Sequence, residues 1–545
     1  MAETETKDII VPVHHEDLAE DVEVAKPKYR ANAQLDEAAQ ILHEAGGQTE
    51  FSAADKKRVL RMIDLWVCVP MCLVYFLQLC DKSSVSYAAV FDLQTSNHLV
   101  GQQYAWLSSC VYVTQLAFQP LSSYALIVFP VKYWVMFNFT AWSIVTVATA
   151  ACTNFTGLLV CRILLGIFEA TILPAFIFMT QMWWTRREQS FRTMCFLIAS
   201  SSAGIFAPLM AYGIGHVSRG LKPYQGIFIF IGGVSCAFVP IVWYLMPNSP
   251  TTAKFLRRGN DRLIALERLR ENNTGTKSNK FKWAQVWETF RDPKTYLWSF
   301  MSLTAAIPSG GFGAFGSLVT KGFGFDSFTS LLMQMPTGAI SIILLLVGFH
   351  VTNSIRMRAP VIAVICLFPV AGAAGLVKAP RNQPGALLAC YYVAYFFQAL
   401  FPLIISWANL NAAGSTKRVI TTATMFTFQC AGNVIGPQVY LTTEAPYYWT
   451  GLYTDLACWS ALFCTVVFTY FYLICLNRKK EKQRASFGLP SKLEDMSIMT
   501  LEEAAKYKAD LTEKLRAQGF DQAKLYENAF DDLTDFENPT FIYVV

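Results

Sequence analysis

Twelve stretches of about 20 residues, apolar and nearly free of charge, recur along this chain, and a run of that kind has few places to go. A hydrocarbon core about 30 Å thick is crossed by about 20 helical residues. Inside it every backbone N–H and C=O must find its partner within the segment, so helix is the form such runs take. Read with a window of about 19 residues, the first six spans lie near Leu65–Tyr87, Tyr104–Phe129, Tyr133–Cys152, Phe155–Trp183, Arg192–His216 and Gly226–Leu245. The second six lie near Tyr296–Val319, Phe328–Val351, Pro360–Val377, Gly385–Leu410, Thr421–Tyr440 and Tyr453–Leu476. Composition agrees: 15% of the 545 residues are charged, against about 25% in an ordinary soluble domain. The net charge of +6 does not mark a nucleic-acid partner, because the basic residues come in short pieces between apolar runs.

The expected fold is therefore an all-α membrane protein of twelve transmembrane helices in two six-helix halves. Residues 1–60 form an N-terminal tail, 61–246 the first half, 247–294 a charged central loop, 295–477 the second half and 478–545 a C-terminal tail. The central loop contains a helical stretch ending at Arg270. The acidic, polar opening through Glu44 reads as a cytosolic tail and not as a cleavable signal. Lys132, Arg186, Arg187, Arg192, Arg356, Arg358, Lys417, Arg418 and the run Arg478–Lys482 fall on one side of the bilayer. The opposite loops hold chiefly Arg219, Lys222, Lys321, Lys378 and Arg381, so both termini and the central loop are expected in the cytosol. Weak echoes link the halves: Ala207-Pro208 with Gly436-Pro437, and Gln119-Pro120 with Gln334-Met335-Pro336. The cysteines, Cys68 to Cys475, sit in or beside apolar windows and read as packing residues. The C-terminal tail has helical periodicity near 501–525, then Asp531-Asp532, and reads as partly disordered.

Ionisable groups within a span cost about 2.5–3.5 kcal/mol each at a helix centre and usually face a wet path. Two sites carry them here. Arg162 and Glu169 in the fourth span are seven residues apart, on one helix face and about 10.5 Å apart along the axis, too far for a direct ion pair. Asp81-Lys82 lies near the outer end of the first span, level with Arg162 by helical rise, with Glu169 deeper. Arg162 and Lys82 are expected to draw in a substrate carboxylate, while Asp81 and Glu169 exchange a coupling proton. A fixed ionic network that only locks helices together is the alternative.

At these residues the chain resembles the anion:cation symporter branch of the major facilitator superfamily, closest to its fungal allantoate permease-like members. The marks are Asp81-Lys82-Ser83-Ser84, Tyr104-Ala105-Trp106-Leu107, Arg162 to Ala170, Pro174, Trp183 to Glu188, Asp292-Pro293-Lys294, Asn411 to Arg418 and Gly432 to Gln438. The resemblance, which spans 65–476, implies proton-coupled symport by alternating access. The cargo it implies is a small organic anion: allantoate, ureidosuccinate, a small peptide or a carboxylate vitamin. It also implies a monomer working in a lipid bilayer, the plasma membrane, with no cofactor. Positions matching Asp81, Arg162 and Glu169 couple protons to substrate in related carriers, and the position of Lys82 is usually arginine. An ammonium there keeps the charge and loses the bidentate geometry. The superfamily's basic loop motif is reduced to Phe129-Pro130-Val131-Lys132 after the second span, and to 352–358 without an Asp after the eighth.

Tyr112 and Gln115 in the second span, and Asn409 and Asn411 near the end of the tenth, are candidate substrate contacts or ordinary interhelical hydrogen bonds. Pro208, Gly311, Gly313, Gly436 and Pro437 are gating candidates; the run 311–316 formally matches a dinucleotide fingerprint but lacks its βαβ setting. It reads instead as a broken or flexible outer half of span seven. Asn154-Phe155-Thr156 matches a glycosylation signal at the membrane edge. No metal-protease pair, phosphate loop or nucleophile elbow is present, so no enzyme and no metal are expected. A nutrient sensor that binds ligand without flux is the alternative function.

Overall fold

The computed structural model describes residues 51–217, 220–256, 260–270, 282–355, 357–486, 506–507 and 533–545, and its regular structure is helical. The first span joins α1 (Ala53–Ile63) to α2 (Val69–Val90) through a π turn at Asp64–Cys68. Then come α3 (Gln103–Val128), α4 (Val131–Thr149), the pair α5 (Phe155–Glu169) and α6 (Ile172–Trp183), α7 (Arg186–Gly215) and α8 (Pro223–Leu245). Between the halves lie α9 (Asp261–Arg270) and α10 (Trp283–Arg291). The second half is α11 (Pro293–Lys321), α12 (Ser327–Leu332) with α13 (Met335–Ile355), α14 (Ala359–Lys378), α15 (Pro384–Ala394) with α16 (Leu400–Leu410), α17 (Ser415–Gln438) and α18 (Trp449–Ser486).

Local chemistry explains the starts. Ser52 accepts from the Ala54 amide ahead of α1, and Asn154 accepts from the Gly157 amide at 2.8 Å ahead of α5. That capping bond employs the side chain of the glycosylation match. Thr185 and Glu188 form a capping box on α7. Asp292 caps α11 with Pro293 in its first turn, where the missing N–H costs nothing. Eight spans are long and apolar enough to cross a bilayer by composition alone. The other four are α3, α4, α11 and α17, in which Ser, Thr, Gly, Asn or Gln lower the hydropathy, residue types that pack or bond between membrane helices.

One expectation needs correction. α11 is one unbroken helix through Gly311, Gly313 and Gly316, because its glycines admit close packing and do not break it. A Cβ at Gly311 would lie 2.5 Å from the Tyr440 ring, and Gly436 of α17 rests directly on the backbone at Ile307. The helical stretch expected in the central loop is α9, and a second helix, α10, follows it ahead of α11. Of the C-terminal tail, 533–545 is packed against the bundle, with Thr534 and Asp535 fully buried. The expected helix at 501–525 and Asp531-Asp532, apart from 506–507, lie outside the described residues, as do 1–50, Arg219 and Arg356.

The end of the bundle that bears α9 and α10 is here termed the linker end, and the opposite end the far end. Hydrogen bonds between the halves gather toward the far end. Tyr104 donates to the Ala314 carbonyl at 2.6 Å, Ser86 to Ser317 at 3.1 Å, and Lys321 to the Val90 carbonyl at 3.1 Å. Phe91, Tyr212 and His216 pack around Phe328 there. The halves are thus closed on each other at the far end.

Candidate functional site

A cavity of about 280 Å3 lies between the halves. The first half lines it with Lys82 of α2, Tyr112 of α3, and Arg162 and Glu169 of α5. The second half supplies Gly313 and Ser317 of α11, Gln334, Ser341 of α13, and Tyr395 and Gln398 between α15 and α16. The wall is ionic on one side and neutral on the other.

On the ionic side, Lys82 Nζ stands 3.6 Å from Glu169 Oε2, and Gln115 Nε2 donates to the same oxygen at 3.2 Å. The Lys82 ammonium also lies 5.4 Å from the centre of the Tyr112 ring. Arg162 is 4% exposed, with its guanidinium 5.5 Å from the Phe228 ring centre, and its Nη2 has no hydrogen-bond partner among the described residues. A buried guanidinium with an idle N–H is costly unless an acceptor arrives. The seven-residue spacing in α5 brings Arg162 and Glu169 to the same cavity wall.

Asp81 behaves differently. It is fully buried and turned toward α4, where Oδ2 accepts from Trp142 Nε1 at 2.8 Å and from Thr146 Oγ1 at 3.1 Å. Oδ1 has no partner, and the residue stays within electrostatic reach of Arg162 without lining the cavity. Adjacent positions on a helix point about 100° apart, which sends Lys82 to the cavity and Asp81 to the interior of its own half.

Asn409 and Asn411 are not brought to the cavity. Asn409 accepts from Thr422 Oγ1 at 2.9 Å, and Asn411 is buried at the linker end against residue Val544. Of the gating candidates, Gly313 faces open space in the cavity, whereas Gly311 and Gly436 lie in the α11–α17 contact. Pro208 sits inside α7 and Pro437 inside α17.

Sequence reading passed over Gln334, Ser341, Tyr395 and Gln398 as cavity residues. Gln334 donates to Thr320 Oγ1 at 2.9 Å and accepts from the Tyr391 hydroxyl at 3.0 Å, a buried polar knot beside the cavity. Its one signal was the Gln-Met-Pro echo between the halves. It also passed over Lys417 beyond its value for orientation, although Lys417 is 2% exposed and paired with Glu288, Asp292 and Asp535.

A model of the Major Facilitator Superfamily matches residues 71–437. An uncharacterized transporter of Schizosaccharomyces pombe is 31% identical over 84% of this chain and 88% of its own. The allantoate permease of Saccharomyces cerevisiae is 27% identical, covering 94% of this chain and 90% of its own, and the thiamine pathway transporter THI73 of the same yeast is 26% identical over 92% and 89%. Among solved structures, a bacterial homologue of the human lysosomal transporter Spinster, inward-facing and unoccupied, superposes with a TM-score of 0.57 at 13% identity, covering 77% of this chain and 97% of that one. The D-xylose–proton symporter gives 0.56 at 12%, covering 72% and 96%.

Proposed function

The chain belongs to the major facilitator superfamily, whose members among its relatives are membrane transporters, and from that premise we propose that it is a proton-coupled symporter of a small organic anion. The observation that carries the reading is Arg162, a buried cation in the cavity wall with an N–H that no group among the described residues accepts. A carboxylate is the ligand that satisfies it, through a charge-assisted hydrogen bond in a low-dielectric site. The neutral wall of the second half then reads the remainder of the ligand by hydrogen bonds from Gln398, Ser341 and Tyr395.

Coupling follows from the Lys82–Glu169 contact. While Glu169 is ionised it neutralises Lys82. A proton on Glu169 removes that competition, so the Lys82 ammonium is freed for the substrate carboxylate beside Arg162. Proton and anion thus enter together. Asp81, held by Trp142 and Thr146, acts on Arg162 through space and sets how strongly its charge is offered to the ligand. With basic residues concentrated at the linker end, that end faces the cytosol by the positive-inside rule, and the far-end closure makes this the inward-facing arrangement. The plasma membrane is the proposed site of action. The class of nutrient carboxylate carried by the yeast allantoate permease is the first to try.

The test is uptake of labelled allantoate and related carboxylates into proteoliposomes under an imposed pH gradient. The wild type accumulates one of them. Glu169→Gln, present at normal level, loses gradient-driven accumulation and keeps exchange of labelled for unlabelled substrate. Undiminished accumulation by this variant would remove Glu169 from the mechanism, and binding without flux in the wild type would make the protein a sensor.

A further inference from the structure

The segment 533–545 occupies the linker end of the second half, where four spans meet. Asp535 is fully buried, and its carboxylate pairs with Lys294 at the start of α11 and with Lys417 at the start of α17, the latter at 2.7 Å. Asp292 lies 3.3 Å from Lys294 and 2.9 Å from Lys417, and Glu288 of α10 lies 2.8 Å from Lys417. Phe536 covers both ammonium groups, with its ring centre 5.0 Å from Lys294 Nζ and 3.9 Å from Lys417 Nζ. The Tyr543 hydroxyl donates to Asp535 at 2.9 Å. Burial opposes charge on Asp535, yet the two lysines hold its carboxyl below the ordinary carboxylate range.

The backbone of the segment is tied as closely. The Val544 amide donates to Asn411 Oδ1 at 2.9 Å, and the Val544 carbonyl accepts from Asn411 Nδ2 at 2.9 Å and from Trp407 Nε1 at 2.7 Å. Asn477 of α18 clasps Tyr543 in the same two-way manner, at 2.9 and 2.8 Å. Lys480 donates to the carbonyls of Phe536 and Asn538, and the Arg358 amide donates to the Val545 carbonyl. Side chains that grip a backbone on both its N–H and its C=O are the mark of a recognised peptide, because they fix register as well as position.

We propose that residues 533–545 are an internal peptide ligand, a strap anchored by Asp535 that joins the linker ends of α11, α16, α17 and α18 into one rigid block. The logic is mutual burial. Two ammonium groups at 2% exposure need their counter-charges, and Asp535 needs both of them. If the strap lifts, the cluster is opened to water and the four helix ends lose their shared clasp. Covalent attachment to the same chain makes rebinding intramolecular, so the strap is held at high effective concentration and can still be displaced.

Hydrogen exchange on the full-length protein in lipid nanodiscs tests this. In the wild type, the amides of 541–545 exchange about 100-fold slower than an unstructured chain. In Asp535→Asn they exchange about 10-fold faster than in the wild type, and the first turns of α11 and α17 follow, while amides at the far end near Tyr448 stay as protected as before. The unchanged far end separates release of the strap from loss of the fold. Asn477→Ala, which removes two bonds and no charge, loosens 541–545 without touching the lysine cluster. Wild-type exchange at the unstructured rate overturns docking. Asp535→Asn with wild-type protection overturns the anchor, and loosening of 541–545 that leaves α11 and α17 unchanged overturns the rigid block.

Discussion

The two halves of the bundle place their charges differently. In the first half, Asp81, Lys82, Arg162 and Glu169 sit in the middle of spans, and three of them line the cavity. Its linker end carries a looser network: Arg192 donates to both Asp64 oxygens at 3.0 and 2.8 Å, Arg268 of α9 pairs with Glu188 at 2.7 Å, and Arg58 pairs with Asp261 at 2.6 Å. Asp64 is 35% exposed and Arg58 more than half. In the second half, Asp455 is a fully buried acid within α18, bonded to the Tyr440 hydroxyl at 2.6 Å and away from the cavity. Other buried charges of this half, Lys294, Lys417, Asp292, Lys480 and Arg484, collect at the linker end around Asp535. Both halves tie their first span to their fifth near the linker end by an acid–base pair, Asp64–Arg192 and Asp292–Lys417. Each also receives a segment from outside the spans, α9 in one case and 533–545 in the other. The difference teaches a division of labour on the proposed mechanism: the first half supplies the charges that handle proton and anion, and the second presents a neutral wall on the frame that 533–545 is proposed to stiffen.

Substitutions that treat the two halves alike can break that contrast. Lys417→Ala leaves two buried carboxylates to share Lys294 and should destabilise the protein by about 3–5 kcal/mol, read as a drop in thermal midpoint. Its counterpart Arg192→Ala leaves Asp64 partly hydrated and still bonded to Trp184, and should cost less, about 1.5–3 kcal/mol. Equal losses would erase the distinction between a dry cluster and a wet one. In the cavity, Arg162→Ala should lower gradient-driven uptake about 100-fold at unchanged expression, with Arg162→Lys restoring part of it, because the ammonium keeps charge without the planar fork. Uptake at wild-type rate in Arg162→Ala would leave the ionic wall without a role.

Where the halves meet, a Cβ on Gly338 would sit 2.7 Å from the Gly204 carbonyl carbon, so backbone lies on backbone at that point. Gly338→Val should disfavour the far-end-closed arrangement by about 1–3 kcal/mol, measured as faster thiol labelling of a cysteine placed at Ser317. The smallest effect is expected from pH on the strap. The Asp535 carboxyl is held below its ordinary value, so its contribution is present above the ordinary carboxylate range and is lost only as pH falls through the depressed value. Lys294, Lys417 and Tyr543 contact it, Asp292 and Glu288 share those lysines, and burial lowers the pKa of the nearby Lys480 to about 8, so protection of 541–545, after correction for intrinsic exchange, should stay level from about pH 7 to about pH 5.

Periodicity and hydropathy carried the fold, because lipid forces each span to be a helix whatever its neighbours. The candidate site was half legible. Arg162 and Glu169 stood out because a charge in an apolar run is costly, and their spacing put them on one wall. Gln334, Ser341, Tyr395 and Gln398 did not stand out, since a neutral polar residue in a span is cheap and common.

Sequence by itself therefore determined the helices, their number and the ionic residues that a bilayer would not tolerate without cause. Tertiary structure alone decided which way those residues point. It turned Asp81 away from its neighbour Lys82, placed Asn411, a candidate for either a substrate contact or an interhelical bond, in the grip on Val544, and made Lys417, read as an orientation signal, a buried partner of Asp535. The physical reason is range: helix formation in lipid is settled within about 20 residues, whereas a carboxylate meets its lysine across more than a hundred residues of chain, and no local pattern encodes that meeting.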